Sequence, residues 1–237
     1  MSIVEALRAK IRKLETPDAA SHAVLPFGIE AVDAHLPDGG VKLGALHEVI
    51  GDSNGAAAAL FAAGILARTS GPVLWCMRQR DLFAPALSHV GLAPERIVYV
   101  DASDDRTLLA CMEEGLRHGG LGGVVGEISK LSMTASRRLQ LAAEKTGTLC
   151  IALWRWGSPK EQTAAHTLWR VTPQPSSPLP VPGVARGRWL IELLRCRGAE
   201  STAIEVEACD ETGTIAIPAG LVMRPSAAEN GRISTAS

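Results

Sequence analysis

The stretch that decides the fold is Glu48-Val49-Ile50-Gly51-Asp52-Ser53-Asn54-Gly55-Ala56-Ala57-Ala58. It begins as an apolar strand, passes through a tight glycine-flanked loop and continues into an alanine-rich helix. Strand, loop and helix in this order are the layout of a phosphate-binding loop, in which the free N–H groups at the start of the helix face an anion. The stretch therefore predicts an α/β domain with an anion-binding loop or a derivative of one.

The loop departs from a working phosphate loop in three ways. Ala56 and Ala57 stand where Lys and then Ser or Thr would follow the second glycine. The loop is one residue short between its glycines, and Asp52 adds a negative charge. Phosphoryl transfer depends on positive charge at the phosphates. We therefore predict a degenerate phosphate loop, with no catalytic residue, no metal and no cofactor. Weak nucleotide binding is the alternative. The loop comprises Gly51, Asp52, Ser53, Asn54, Gly55, Ala56 and Ala57.

Short apolar strands alternate with helices after this loop. The pattern predicts helices over 56–68, 104–119 and 132–147, a further helix within 81–89, and strands over 73–77, 96–100, 123–128 and 148–154. Asp104 and Ser132 are the expected helix N-caps. Such alternation favours a mostly parallel sheet with helices on both faces. Residues 188–196 and 202–209 predict paired C-terminal strands, with 214–217 as a possible third.

The ends of the chain differ from this central part. Ile3, Leu7, Ile11 and Leu14 recur at helical spacing. We therefore divide the chain into an N-terminal amphipathic helix and linker (1–24), one domain (25–224) with a proline-rich loop near 172–187, and a disordered tail (225–237). The helix packs on its own domain or serves as a partner-binding arm.

Composition excludes several classes of protein. The chain has 237 residues, of which 46% are hydrophobic and 21% charged, a balance that excludes a wholly disordered chain. Its 24 basic and 25 acidic residues nearly cancel, so binding of a polyanion by the whole surface is not expected. No secretory signal or long apolar run is present, and the five cysteines are widely spaced. These features predict a cytoplasmic protein with reduced thiols.

A basic block runs from residue 145 to residue 197. It carries a net charge of +6 and contains four of the five tryptophans. Arg195 and Arg197 alternate along one strand, and we expect Arg186 and Arg188, which precede them, to lie in the same row on one face, where the four arginines bind an acidic partner or phosphates.

Two segments before the loop carry a family resemblance. Pro26–Asp33 and Gly39–Glu48 resemble the lead-in of the RecA-like family, and the order of strands and helices that follows is similar. The resemblance implies a RecA-like core. It also implies that Glu127 is the Walker-B-like acid, although without a working phosphate loop we expect an exposed carboxylate at the end of a strand. The position of the catalytic glutamate falls near Arg78 or Gln79.

More closely, the chain resembles the ImuA family of RecA/SulA-related proteins from bacterial inducible-mutagenesis cassettes. The resemblance rests on short segments spread over residues 25–200, chiefly 74–76, 81–87, 112–117, 169–171 and 188–198. It implies a non-catalytic accessory protein of the DNA-damage (SOS) response and translesion synthesis. The implied partners are an ImuB-type Y-family-like polymerase subunit, RecA and an error-prone replicative-type polymerase, with single-stranded DNA left open.

The RecA-like resemblance also implies contact loops for DNA or a partner. These loops follow the Walker-B-like strand and the next strand, and they hold Arg137, Arg138, Arg155, Trp156 and Lys160. Two alternatives stay open: a RecA-type protein that binds ATP and single-stranded DNA through an altered loop, and a SulA-like inhibitor of cell division.

Overall fold

A computed structural model describes residues 23–52, 55–176, 182–183 and 185–218. The predicted N-terminal helix, Ser53, Asn54 and the tail from residue 225 lie outside these ranges. The strands are β1 (Val24–Leu25), β2 (Val41–Lys42), β3 (Leu46–Gly51), β4 (Val73–Met77), β5 (Ile97–Asp101), β6 (Gly123–Glu127), β7 (Leu149–Trp154), β8 (Thr167–Gln174), β9 (Arg188–Cys196) and β10 (Thr202–Glu207). The helices are α1 (Glu30–Asp33), α2 (Ala56–Ala67), α3 (Ala84–Ser88), α4 (Asp105–His118) and α5 (Met133–Thr146).

Eight strands form the main sheet in the order β10-β9-β8-β3-β7-β6-β4-β5. The six strands from β8 to β5 are parallel, and β9 and β10 extend the sheet as antiparallel strands. Helix α2 packs on one face with Trp75 and Trp169, and α4 and α5 pack on the other with Leu46 and Trp154. The predicted fold class, a mostly parallel sheet with helices on both faces and C-terminal antiparallel strands, is confirmed.

The predicted helix ends are also confirmed. The side chain of Asp104 accepts a hydrogen bond from the amide of Thr107 at 2.8 Å, and that of Ser132 accepts one from Ala135 at 3.2 Å. Gly119 and Gly147 end the same helices in the left-handed conformation that glycine favours. These caps place the N-termini of α4 and α5 at the carboxyl edge of the parallel strands.

The predicted start of the proline-rich loop, near residue 172, is wrong, because β8 extends to Gln174. Residues 172–174, assigned to that loop, continue a strand that begins at Thr167. Pro173 is tolerated because the pairing of β8 with β3 ends at Val171, so its missing N–H falls beyond that ladder. The predicted third C-terminal strand is also wrong in extent, because only an isolated bridge joins Ala216 to Glu207.

The turn at residues 209–213, which follows β10, packs closely against α2 at two glycines. A Cβ built on Gly64 would lie 2.3 Å from the sulfur of Cys209, and one built on Gly213, whose φ is +76°, would lie 2.5 Å from the carbonyl oxygen of Gly64. Helix α2 is buried on nearly all sides, and this close approach closes its outer side. The turn therefore belongs to the core.

We expect Gly64→Ala to lower the free energy of unfolding by roughly 1–3 kcal/mol, because overpacking against Cys209 exceeds the better helix propensity of alanine, about 1 kcal/mol. Cys209→Ala in the same chain removes the clashing sulfur and should recover most of the loss. Urea unfolding of the wild type, both single variants and the double variant measures this. A Gly64→Ala protein as stable as the wild type would contradict the tight packing.

Candidate functional site: a closed phosphate loop

The connection from β3 to α2 occupies the position of a phosphate-binding loop. Its described residues are Gly51, Asp52 and Gly55, and the amide of Gly55 donates a hydrogen bond to the carbonyl oxygen of Asp52 at 2.8 Å. Gly55 has a φ of +67° and directly precedes the helix. The predicted location of the loop, between a buried strand and the alanine-rich helix, agrees with the structure.

The main chain of Arg155, the residue that follows β7, lies directly against this loop. A Cβ built on Gly55 would lie 2.6 Å from both the Cα and the carbonyl oxygen of Arg155. A Cβ on Gly51 would lie 2.6 Å from the Cα of Gly55. Both glycines are therefore required by close contact within the chain, and we call the loop closed because the main chain of Arg155 lies against it.

The side chain of Arg155 is buried beneath the loop, with only 7% of the residue exposed. Its Nη1 donates to the Oε2 of Glu127 at 2.9 Å and to the Oδ1 of Asp81 at 2.7 Å. The guanidinium carbon also lies 4.4 Å from the ring centroid of Trp156, a cation–π distance. One arginine thus joins the ends of β6 and β7 to the segment after β4.

Glu127 is buried, and the expectation of an exposed carboxylate at the end of a strand is wrong. Its Oε1 accepts a hydrogen bond from the indole nitrogen of Trp75 at 2.9 Å, and its Oε2 accepts from Arg155. Burial raises the pKa of Glu127 above its ordinary value, and the hydrogen bonds from Trp75 and Arg155 oppose that rise. The carboxylate is thus held by contacts within the chain.

A second buried carboxylate lies on the opposite face of the sheet. Glu48 of β3 accepts hydrogen bonds from the indole of Trp154 at 3.2 Å, the hydroxyl of Thr163 at 2.7 Å and the guanidinium of Arg195 at 3.0 Å. Burial raises the pKa of Glu48 in the same way. Each face therefore carries a tryptophan–glutamate–arginine cluster built from different strands.

A β-bulge determines where the arginines of the basic block point. Leu168 pairs with Arg195 but Trp169 pairs with Leu193, so Leu194 is an extra residue in β9. Positions 188 and 195 differ by an odd number, so simple alternation would put Arg188 and Arg195 on opposite faces, and the expectation that alternation alone forms the row is wrong. The extra residue in β9 is what brings Arg188 and Arg195 to the same face.

Each arginine of the predicted row has acceptors within the chain. Arg186 donates to the carbonyl oxygens of Ala208 and Thr214, Arg188 to Glu205, Arg195 to Glu48 and Thr163, and Arg197 to the carbonyl oxygen of Ala164. Replacing Arg195 by Glu would oppose the buried Glu48, so that variant tests folding as much as binding. The role of the row as a contact surface stays a prediction.

The other predicted contact residues are divided between two places. Trp156 and Lys160 are exposed in the segment after β7, and Trp156 directly follows Arg155. Arg137 and Arg138 lie on α5, where Arg137 is exposed and Arg138 forms an ion pair with Glu113. Arg78, near the position of a catalytic glutamate, donates to Asp105 at 3.3 Å and Ser129 at 3.2 Å.

Sequence reasoning missed Glu48 and Asp81 as members of these clusters. Glu48 carries a usable signal, because it is the lone carboxylate in a strand predicted to be buried and a buried charge needs a partner. Asp81 lies in an irregular segment between β4 and α3, and its pairing with Arg155 spans 74 positions, so no local pattern indicates it.

No protein-family model matches the chain. The crystal structure of the RadB recombinase resembles it with a TM-score of 0.57 at 17% identity, covering 82% of this chain and 99% of that one. This likeness establishes the RecA-like fold.

Two proteins named ImuA, from Caulobacter vibrioides strains NA1000 / CB15N and ATCC 19089 / CIP 103742 / CB 15, are each 39% identical over 193 residues, covering 74% of this chain and 79% of the relative. Identity of this extent, on a RecA-like fold, shows that the chain belongs to the ImuA family.

Proposed function

We propose that this chain is a non-catalytic, RecA-like accessory protein of damage-induced mutagenesis, which links RecA to an error-prone polymerase complex in translesion DNA synthesis. Membership of the ImuA family supports the mutagenesis context. The observation that carries the non-catalytic part is the position of Arg155 against the loop between β3 and α2.

The charge around the loop opposes a nucleotide. Triphosphate binding needs cationic groups and open N–H donors, because the phosphates carry several negative charges. Arg155 is committed to two carboxylates, Glu127 and Asp81, so the three groups together leave a net negative charge. Asp52 adds another in the loop itself. A nucleotide would have to displace Arg155 and leave Glu127 buried without a cation.

The retained scaffold is suited to protein contacts. The contact of the Arg155 main chain with Gly55 and the pairing of its side chain with Glu127 and Asp81 support the carboxyl edge of the sheet without a ligand. Exposed groups such as Trp156 and Lys160 remain on that edge. Within the described ranges, no helix combines the length and apolar character needed to cross a bilayer.

We expect Arg155→Met to lower the free energy of unfolding by about 3–5 kcal/mol, because it leaves the Glu127 carboxylate buried without its cation. Glu127→Gln keeps an acceptor for Trp75 and removes the charge. The double variant should therefore be more stable than Arg155→Met alone, with a coupling of roughly 1–3 kcal/mol by urea unfolding. Strictly additive effects would contradict the assigned pairing.

We expect no ATP turnover and no saturable binding of a fluorescent ATP analogue with Mg²⁺. Ala56→Lys with Ala57→Thr should stay inactive, because the main chain of Arg155 still lies against Gly55. A RecA preparation serves as the positive control. Steady ATP turnover by the wild-type chain that scales with its concentration would refute the non-catalytic assignment.

We expect the tagged full chain, isolated from its native bacterium after DNA damage, to recover RecA and a Y-family-like polymerase subunit in mass spectrometry. Arg197→Glu should reduce this recovery, because it reverses a charge in the predicted contact row. The variant should still fold, because Arg197 is exposed and pairs with no buried carboxylate. Arg106→Glu, an exposed reversal of the same charge on α4, is the matched control. Recovery of division proteins instead would favour the SulA-like alternative, and recovery of neither polymerase nor RecA would refute the linking role.

A further inference from the structure

Helices α4 and α5 leave an open groove between the C-terminal half of α4 and residues 138–145 of α5. The groove has a volume of about 410 Å³ and is lined by Glu113, Arg117, Arg138, Leu141, Ala142 and Lys145. It lies on the helical face opposite α2 and toward the amino ends of the strands, so it is separate from the closed phosphate loop.

The groove carries more positive charge than its own carboxylate neutralises. Glu113 is nearly buried at its base, where it pairs with both Arg117 and Arg138. One guanidinium neutralises one carboxylate, so the second arginine and Lys145 leave the lining with a net charge of +2. Both arginines are more than half exposed and use one terminal nitrogen for Glu113, which leaves further N–H donors on each guanidinium for an incoming group.

An exposed leucine lies at the centre of these cations. Leu141 is 65% exposed, and it stands three residues after Arg138 and four before Lys145, so the three side chains share one helix face. Ala142 beside it is small and leaves room above the groove. Removing this apolar side chain from water is favourable, so a ligand with an apolar group binds here more tightly than a simple anion does.

We propose that this groove binds an acidic amphipathic segment of a partner protein, with an apolar residue packed on Leu141 and carboxylates on Arg117, Arg138 and Lys145. Charge complementarity identifies the sign of the partner, and Leu141 identifies its apolar component. A nucleic acid fits less well, because the lining has no aromatic ring for base stacking and Glu113 faces the groove. The surface lies apart from the residues used in the proposed function, so either proposal can fail without the other.

The probe is a fluorescein-labelled peptide in which leucines recur every three or four residues among glutamates. We expect the full chain to bind it in fluorescence anisotropy, with amide shifts in NMR confined to α4 and α5. Lys145→Glu and Leu141→Ser should each weaken binding by about tenfold or more. Arg106→Glu is the matched control, because Arg106 is exposed on α4 and does not line the groove; it should change binding by less than about twofold.

Four results would overturn the proposal. The first is absence of shifts at α4 and α5 with millimolar peptide. The second is equal affinity for a peptide in which alanine replaces every leucine, which would mean that the groove attracts polyanions in general. The third is tighter binding of single-stranded oligothymidylate at the same residues. The fourth is a dimer of the free chain that Leu141→Ser dissociates, which would assign the groove to a second copy. Unfolding curves of each variant confirm that a loss of binding is not a loss of fold.

Discussion

A carboxylate buried at the end of a strand requires a cation, and the pairing of Glu127 with Arg155 is the constraint on which the candidate site depends. Because Arg155 directly follows β7, its inward side chain brings its main chain against Gly55 and leaves no room for a side chain there. Asp81 joins the same guanidinium and fixes the segment after β4. Arg155 and its two ion pairs thus connect the loop after β3, the segment after β4 and the ends of β6 and β7.

The cluster around Glu48 stabilises the other face of the sheet through a different set of strands. Glu48 lies in the central strand β3, and its contacts reach Trp154 at the end of β7 and Arg195 near the end of β9. It therefore links the parallel part of the sheet to its antiparallel extension, and the bulge at Leu194 is what lets Arg195 reach that face. The two carboxylates therefore connect strands through side-chain contacts on opposite faces of the sheet. Arg155 and Arg195, which the sequence suggested as contact residues for a partner or DNA, are the counterions of these buried carboxylates.

Local signals made most of the fold predictable, whereas the site depends on contacts between distant residues. The caps at Asp104 and Ser132 act within three residues, so sequence alone located the starts of α4 and α5. Strand β8 was missed because it contains Pro173, and no local pattern shows that the pairing of β8 with β3 ends before this residue. The position of the degenerate loop was predictable from its glycines. The contact of Arg155 with this loop was not predictable, because it joins segments a hundred residues apart.

The position of β3 in the sheet has a consequence for how the chain reaches its native state. Both neighbours of this central strand, β7 and β8, come about a hundred residues later in the sequence. Loops of that length must close before the centre of the sheet gains its hydrogen bonds, and high contact order of this kind slows folding. During synthesis, β3 and the alanine-rich helix after it leave the ribosome well before their partners. Nearly the whole chain must be made before this apolar segment is covered, an interval in which a chaperone would find it exposed.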